Sequence, residues 1–205
     1  MVPGTGRVIV EPDVASVRLG VTIVRQTASA SREAAAATMT AILNAVAAAG
    51  VERRDMRTAL VALNPLTDYS SERGPRVTGY QISNTVAVTV RELGATGAVI
   101  DAALAAGASS LDGLDFRLDD PSPAEANART AAMEDARARA RTLAEAAGVT
   151  LGQVLNAVEG ERGGGPIPFA GGMRALAMKA ESADTPVESG TQEIAVSVVV
   201  TFAIA

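Results

Sequence analysis

Histidine, cysteine and tryptophan are absent from this chain of 205 residues, and Lys179 is its one lysine. Histidine is the only side chain whose unperturbed pKa lets it exchange protons near neutral pH, and cysteine and lysine supply most covalent nucleophiles after serine. Carboxylates, tyrosine and backbone dipoles remain as possible catalytic groups. The composition therefore argues against an enzyme, and we predict neither catalytic residues nor a cofactor.

Aromatic residues make up only 2% of the chain, although 48% of it is hydrophobic. The core must therefore be built from Ala, Val, Leu and Ile, with close packing wherever alanine dominates. The 23 acidic residues outnumber the 18 basic ones, which gives a net charge of −5. Because a general nucleic-acid binder carries a basic face for phosphates, we predict no nucleic-acid partner.

Long apolar runs are missing, since no stretch approaches the roughly 20 apolar residues that a transmembrane helix needs. The sequence also shows no charged, then apolar, then small-residue leader, because Met1–Gly4 continues directly into strand-like sequence. These features predict either a cytoplasmic protein or an exported protein without its signal. The absence of cysteine is compatible with both compartments.

Alternation of apolar and polar residues predicts three long strands, at 14–25, 77–91 and 193–205. Each of these strands has one polar face, which favours antiparallel pairing. In the last strand the alternating apolar residues are Ile194, Val196, Val198, Val200, Phe202 and Ile204. Shorter strands are predicted at 7–10, 56–64, 111–118 and 153–158.

Three helices are predicted between the strands, at 29–49, 93–106 and 122–147. Each is followed by a glycine in a position for left-handed C-capping, namely Gly50, Gly107 and Gly148. The third begins with the pattern of a capping box, in which Ser122 is the N-cap and Glu125 the reciprocal acceptor. Its predicted buried stripe consists of Met133, Ala136, Ala140, Leu143 and Ala147.

The predicted elements together indicate an α+β fold, with a mainly antiparallel sheet of long strands and three helices packed on it. We predict a single domain over residues 1–205. The glycine-rich and proline-rich segment at about 162–189 breaks the pattern. A loop of this length in a compact domain is usually functional or disordered, so we predict a flexible insertion loop there.

Four sequence pieces, in order along the chain, resemble the SIMPL-domain family of bacterial exported proteins, which includes periplasmic immunogens. They are Gly4-Thr5-Gly6-Arg7-Val8 with Pro12-Asp13-Val14-Ala15; Gly79-Tyr80-Gln81-Ile82-Ser83-Asn84; Asp135-Ala136, Arg139-Ala140 and Leu143-Ala144 before Ala147-Gly148-Val149; and Pro186 and Gly190 before the last strand. The resemblance implies an α+β fold, a periplasmic or extracellular location, homo-oligomers, and an association with envelope or oxidative stress. It implies no catalytic residue.

Four aspartates lie close together in the sequence, at Asp112, Asp115, Asp119 and Asp120. Calcium and magnesium prefer such oxygen-rich clusters. If Leu114 and Phe116 face the core, however, Asp115 belongs to the solvated face of the same strand. We therefore interpret these carboxylates as a solvated face and predict no metal site.

Five residues are candidates for an interface with a second copy of the chain. Phe169, Met173 and Leu176, spaced by four and three residues, would form one apolar face if their loop became helical; the alternative is a disordered loop. Arg129 lies near the apolar stripe of the third helix and either pairs with Glu125 or reaches a partner subunit. Tyr69 follows Pro65 in a polar loop, where it is placed to contact a partner.

The sequence thus predicts a non-enzymatic, exported envelope protein that self-assembles and acts through its surfaces. The alternative is a small-ligand carrier or a carboxylate-based hydrolase. Either alternative requires a pocket, and the hydrolase requires paired acids that converge in it.

Overall fold

Eight strands and three α-helices form the described part of the computed structural model, which covers residues 1–70, 74–160 and 185–205 and the backbone of 167–168. In chain order the elements are β1 (Val2–Val10), β2 (Val14–Arg25), α1 (Ala28–Ala48), β3 (Met56–Asp68), β4 (Arg76–Val90), α2 (Thr96–Ala105), β5 (Ser110–Arg117), α3 (Ser122–Ala147), β6 (Leu151–Glu159), β7 (Ile167–Pro168) and β8 (Gln192–Ile204). The predicted α+β class is confirmed. No helix in these ranges is long and apolar enough to cross a membrane.

The chain divides into two compact units. The terminal unit contains β1, α3, β6, β7 and β8, and its described residues are Met1–Pro12, 118–160, 167–168 and Gly190–Ala205. The central unit contains β2–β5, α1 and α2, and its described residues are 13–70, 74–117 and 185–189.

The central unit is a four-stranded sheet in the order β3-β4-β2-β5, with every neighbouring pair antiparallel. The inner face of β2 supplies Val17, Leu19 and Val21 to the core, as its alternation predicts. α1 packs on this face through Ala35, Met39, Ile42 and Val46, which recur every three or four residues along the helix. Met39, Ile42 and Val46 join the β2 side chains in one large apolar cluster that also includes Val88, Val99 and Ile100.

The terminal unit is a smaller antiparallel sheet in the order β1-β8-β6, and β7 pairs with the first residues of β8. α3 lies on this sheet and buries six alanines at every fourth position: Ala124, Ala128, Ala132, Ala136, Ala140 and Ala144. The predicted stripe is wrong for Leu143, which is 60% exposed, and for Ala147, which is also exposed.

Glycines in β1 explain why alanine, and not leucine, faces the sheet. A Cβ atom added to Gly6 would collide with the carbonyl oxygen of Ala128, and one added to Gly4 would collide with that of Ala132. The backbones of β1 and α3 therefore approach too closely for larger side chains between them.

The predicted ends of the helices are confirmed. Gly50, Gly107 and Gly148 have φ angles of 98°, 105° and 71°, which is the left-handed region that glycine adopts without steric cost. The predicted start of α3 is wrong in detail. Pro121 already has helical backbone angles, so Ser122 is the first helical residue and its backbone N–H donates to Asp120 Oδ1 at 3.0 Å.

Candidate functional site

A cleft of about 600 Å³ opens in the central unit. The turn after α1 forms one wall, and there the left-handed Gly50 redirects the chain into Val51 and Glu52. The other walls come from the short 3₁₀ turn that carries Asp55, from the end of β4, and from a second 3₁₀ turn with Gly94. Ligand pockets commonly have volumes of about 300–1,000 Å³, so this cleft is large enough for a small molecule.

The main polar feature of the cleft is a two-point ion pair between Asp55 and Arg91. Arg91 Nε donates to Asp55 Oδ2 at 2.9 Å, and Arg91 Nη2 donates to Oδ1 at 2.8 Å. The Asp55 side chain is only 8% exposed, whereas that of Arg91 is 47% exposed. The hydrogen bonds from Arg91 hold the pKa of Asp55 below its usual range, with smaller contributions from the charges of Arg91 and Arg54, while burial opposes the shift.

This ion pair determines what Asp55 can do chemically. Because its pKa is lowered, Asp55 is ionised near neutral pH and has no proton to donate. Both of its oxygens accept hydrogen bonds from Arg91, which makes the carboxylate a weak general base. Asp55 is therefore suited to holding Arg91 in place rather than to proton transfer.

Other carboxyl groups in the described part of the chain have lowered pKa values for similar reasons. The pKa of Asp135 is lowered mainly by the backbone N–H of Thr5, which donates to Oδ2 at 2.9 Å, and then by Arg139. Ser70 lowers the pKa of Asp68, and Ser122 lowers that of Asp120. These side chains are ionised acceptors of backbone N–H groups, two residues away for Asp68 and Asp120 and in β1 for Asp135, which is a structural role.

Arg129 lies between two carboxylates of the terminal unit. Its Nε donates to Glu159 Oε2 at 2.9 Å, and its Nη2 donates to Glu125 Oε2 at 3.0 Å. These two bonds, that to Glu159 first, raise the pKa of Arg129. The pairing with Glu125 is the one the four-residue spacing indicates, and a contact with a partner subunit stays a prediction.

The remaining predicted interface residues differ in how they are placed. Tyr69 directly follows β3 and is 78% exposed, so its ring is available for contacts. Phe169, Met173 and Leu176 lie outside the described residues.

The four clustered aspartates do not converge on a common point. Asp115 forms an ion pair with Arg18 at 3.7 Å, and Asp112 accepts from the hydroxyl of Thr85 at 3.3 Å. Asp120 is used at the start of α3. Within the described ranges, no group of three or more acidic side chains is placed to hold a metal ion.

The outer edge of β3 is a feature that sequence reasoning missed. β3 lies at the end of its sheet, and Leu60, Val61 and Leu63 are 52%, 58% and 45% exposed. The apolar run from Ala59 to Leu63 is typical of a buried strand. Pro65, two residues further on, is the signal that would have identified an edge strand, because proline cannot donate to a central ladder.

An apolar groove of about 190 Å³ lies in the terminal unit, beside the last turns of α3. Its lining includes Leu143, Phe202 and Ile204, and Ile204 is 68% exposed. Of these lining residues, Phe202 also packs against the apolar cluster of the terminal unit.

Comparison with known proteins identifies the family. The profile of the SIMPL family, described as a protein of unknown function (DUF541), matches residues 1–202. The 26 kDa periplasmic immunogenic protein of Brucella melitensis biotype 1 is 35% identical over 208 residues, which cover 99% of this chain and 83% of that relative. The uncharacterized protein YggE of Escherichia coli strain K12 is 26% identical over 154 residues, covering 75% of this chain and 62% of that relative. This chain therefore belongs to the SIMPL family.

Proposed function

We propose that this chain is a non-enzymatic protein of the bacterial envelope that self-assembles and acts through its surfaces, in support of envelope or oxidative stress tolerance. The observation that carries this proposal is the exposure of apolar residues along the edges of both sheets. β3 exposes Leu60, Val61 and Leu63, and β6 exposes Leu155 and Val158 to 61% and 52%.

Exposed strand edges favour association for a physical reason. An edge strand presents backbone N–H and C=O groups that a further strand can bind, and soluble proteins usually protect such edges. Contiguous apolar surface commonly marks an interaction site. A second copy of the same chain always brings the same surface, so symmetric self-association is the simplest way to cover it.

The lowered pKa values of Asp55 and Asp135 support a structural role for these carboxylates over a catalytic one. Asp55 is held ionised by Arg91, and Asp135 by Thr5 and Arg139. A carboxyl group that works as a general acid near neutral pH needs a raised pKa, as burial or a like charge provides. The chain also contains no histidine or cysteine to take that role.

The location is proposed from the relatives. The Brucella protein, 35% identical to this chain, is named as a periplasmic protein. A chain without cysteine folds in an oxidising compartment without the risk of wrong disulfides.

Self-assembly is tested by measuring the mass of the purified full chain in solution with light scattering and analytical ultracentrifugation at micromolar concentration. We expect a discrete species of several chains. A protein that stays monomeric across the accessible concentration range contradicts self-assembly. Recovery in the periplasmic fraction after expression of the full-length gene tests the location.

A second candidate function, a carrier of a small ligand, is favoured by the cleft around Asp55 and Arg91. Gly94 lines this cleft, and a Cβ atom added there meets nothing within 4 Å. Thermal melting with a panel of amino acids, polyamines and sugars tests this function. A ligand of the cleft raises the Tm of the wild type and not that of Gly94→Phe, whose ring occupies the space.

A further inference from the structure

The edges of the two sheets are not equally open to a further strand. On β1, the backbone N–H of Thr5 already donates to Asp135 of α3. β5 has only eight residues, and its pairing with β2 contains a bulge. β6 carries two register shifts within nine residues, at Val154 and Asn156. Covering, shortness and bulges are the usual protections of an edge.

In its middle part β3 is neither short nor bulged, and Pro65 is its one protection of this kind. From Leu60 to Leu66 it pairs with β4 in unbroken register, opposite Thr85 to Gly79. Within the described ranges no strand pairs with its other side. Seven regular residues at an exposed edge are as long as a typical strand, so β3 can accept a complete partner strand.

One contact with β4 shows which backbone groups of β3 are directed towards the open edge. The carbonyl oxygen of Leu66 accepts from the Thr78 hydroxyl of β4 at 3.2 Å, so it is directed towards β4. Alternate residues of an antiparallel strand direct their backbone groups to the same side. Val61, Leu63 and Pro65 therefore direct theirs to the open edge, where the missing N–H of Pro65 costs no bond to β4.

A second β3 strand fits this edge in one symmetric register. The centre of the regular segment is Leu63, and a two-fold axis through it places Leu63 opposite Leu63 of the other copy. Val61 then lies opposite Pro65, and Leu60 opposite Leu66. The N–H of Val61 faces the carbonyl oxygen of Pro65, so each Val61–Pro65 pair forms one of its two backbone hydrogen bonds, and the Leu63–Leu63 pair at the axis forms both. Apolar residues meet apolar residues at all three of these pairs, which stabilises cross-strand contacts.

Charges at the two ends of β3 match the same register. The bulge at Ala59 shifts the alternation by one residue, so that Arg57 and Asp68 both continue the face of Leu60 and Leu66. The two-fold axis places Arg57 of each copy opposite Asp68 of the other. Asp68 is charged at neutral pH, as aspartate ordinarily is, and hydrogen bonds from Ser70 lower its pKa further. Two opposite-charge pairs therefore flank the apolar pairs.

We propose that β3 is the surface through which two copies of this chain pair, antiparallel, about a two-fold axis at Leu63. The inference rests on the proposed self-assembly and specifies which edge carries it. The pairing joins the two central sheets into one continuous eight-stranded sheet and leaves the edges of the terminal unit available for other contacts.

Charge reversal in trans tests the register. Arg57→Asp places two carboxylates opposite each other in both end contacts of a pair, and Asp68→Arg places two guanidinium groups opposite each other. Each variant alone should associate through this edge at least about tenfold more weakly than the wild type, since like charges directly opposite are destabilising. An equimolar mixture of the two variants restores opposite-charge contacts and should recover the association. Circular dichroism and the Tm of each variant establish that the fold is retained.

A single engineered cysteine tests the axis, because the wild-type chain has none. Opposite residues in an antiparallel pair have Cα atoms about 4.5–5.5 Å apart, within the range that a disulfide bridges. Leu63→Cys should therefore form a disulfide-linked dimer under mild oxidation. Leu104→Cys is the matched control, since Leu104 lies in the same unit and is 45% exposed like Leu63, and it should remain uncrosslinked.

The outcomes separate this inference from the proposed function. A monomeric wild type contradicts self-assembly and with it the β3 pairing. An assembled wild type whose mass is unaffected by Arg57→Asp and Asp68→Arg, or whose Leu63→Cys variant does not crosslink, overturns the β3 pairing alone. Singly weakened variants that recover when mixed, together with a crosslink at Leu63, support it. The same weakening without recovery points to another protein strand at this edge and also overturns the pairing.

Discussion

The two units place helices on an antiparallel sheet in opposite ways. In the central unit, α1 inserts Met39, Ile42 and Val46 between the side chains of β2 and β4, and the core is one large cluster. In the terminal unit, the buried residues of α3 are all alanines, and Gly4 and Gly6 let the backbones approach. Side-chain interdigitation holds the first unit together, whereas close contact between backbones holds the second.

The comparison shows why the two units should respond differently to mutation. A core of large side chains loses stability when atoms are removed, because a cavity remains. A helix in contact with a glycine strand loses stability when atoms are added, because neither backbone can move without breaking its own hydrogen bonds.

The largest effect is expected for Ile42→Ala in the central unit. Ile42 is fully buried, and removing a buried isoleucine side chain costs about 2–5 kcal/mol. Urea unfolding measures how much Ile42→Ala lowers the free energy of unfolding. Hydrogen exchange at β2 and β4 shows whether the loss lies in this unit. The control is Leu143→Ala on the exposed side of α3, which should change stability by less than about 0.5 kcal/mol. Equal effects of the two changes would contradict the burial of Ile42 in a core of large side chains.

The second prediction reverses the direction of the change. Gly6→Ala adds one methyl group to β1, where it collides with the carbonyl oxygen of Ala128. Overpacking of this kind costs about 1–3 kcal/mol, and we expect lost hydrogen-exchange protection in α3 and β8. Gly94→Ala is the control in the central unit, because its Cβ atom meets nothing within 4 Å. A Gly6→Ala protein as stable as Gly94→Ala would show that β1 and α3 can separate without cost.

The third prediction concerns pH. The pKa values of Asp55 and Asp135 lie below their ordinary value of 3.8. A lowered pKa in the folded state stabilises the protein above 3.8, and this contribution is lost as the pH falls through the folded-state value. The stability differences between the wild type and Asp55→Asn, and between the wild type and Asp135→Asn, should therefore be largest near pH 7 and shrink below 3.8.

Of these two variants, Asp55→Asn should be the more destabilising. Asp55 binds Arg91 through both oxygens, whereas the first partner of Asp135 is a neutral backbone N–H that an asparagine oxygen can still accept. Urea unfolding at a series of pH values measures both differences. Differences that do not depend on pH would contradict the assigned pKa shifts.

The smallest effect is expected at the start of α3. Asp120 accepts the backbone N–H of Ser122, so Asp120→Ala should lower the Tm measured by circular dichroism more than Ser122→Ala does. A larger loss of Tm for Ser122→Ala than for Asp120→Ala would support Ser122 as the N-cap instead.

Much of the secondary structure could be predicted from local patterns. The limits of β2 and α3 and the glycines after all three helices agree with the sequence, since alternation and C-capping depend on a few neighbouring residues. The candidate site could not be predicted in this way. Asp55 and Arg91 lie 36 residues apart, and no spacing rule relates two residues that meet only after β3 and β4 have paired.

Composition and local patterns are therefore sufficient for the α+β class, the SIMPL family and the acidic, cysteine-free character of the chain. Which residues of each element are covered depends on the tertiary structure. Hydrophobicity favoured Leu143 for the buried face of α3, but the four-residue repeat of alanines that packs on the sheet places Ala140 and Ala144 there and leaves Leu143 60% exposed. Likewise, the apolar run from Ala59 to Leu63 is typical of a buried strand. It is exposed because β4 is the only strand that pairs with β3 in the described part of the chain. Periodicity identifies the faces of an element, whereas the neighbour that covers each face is fixed by contacts distant in sequence.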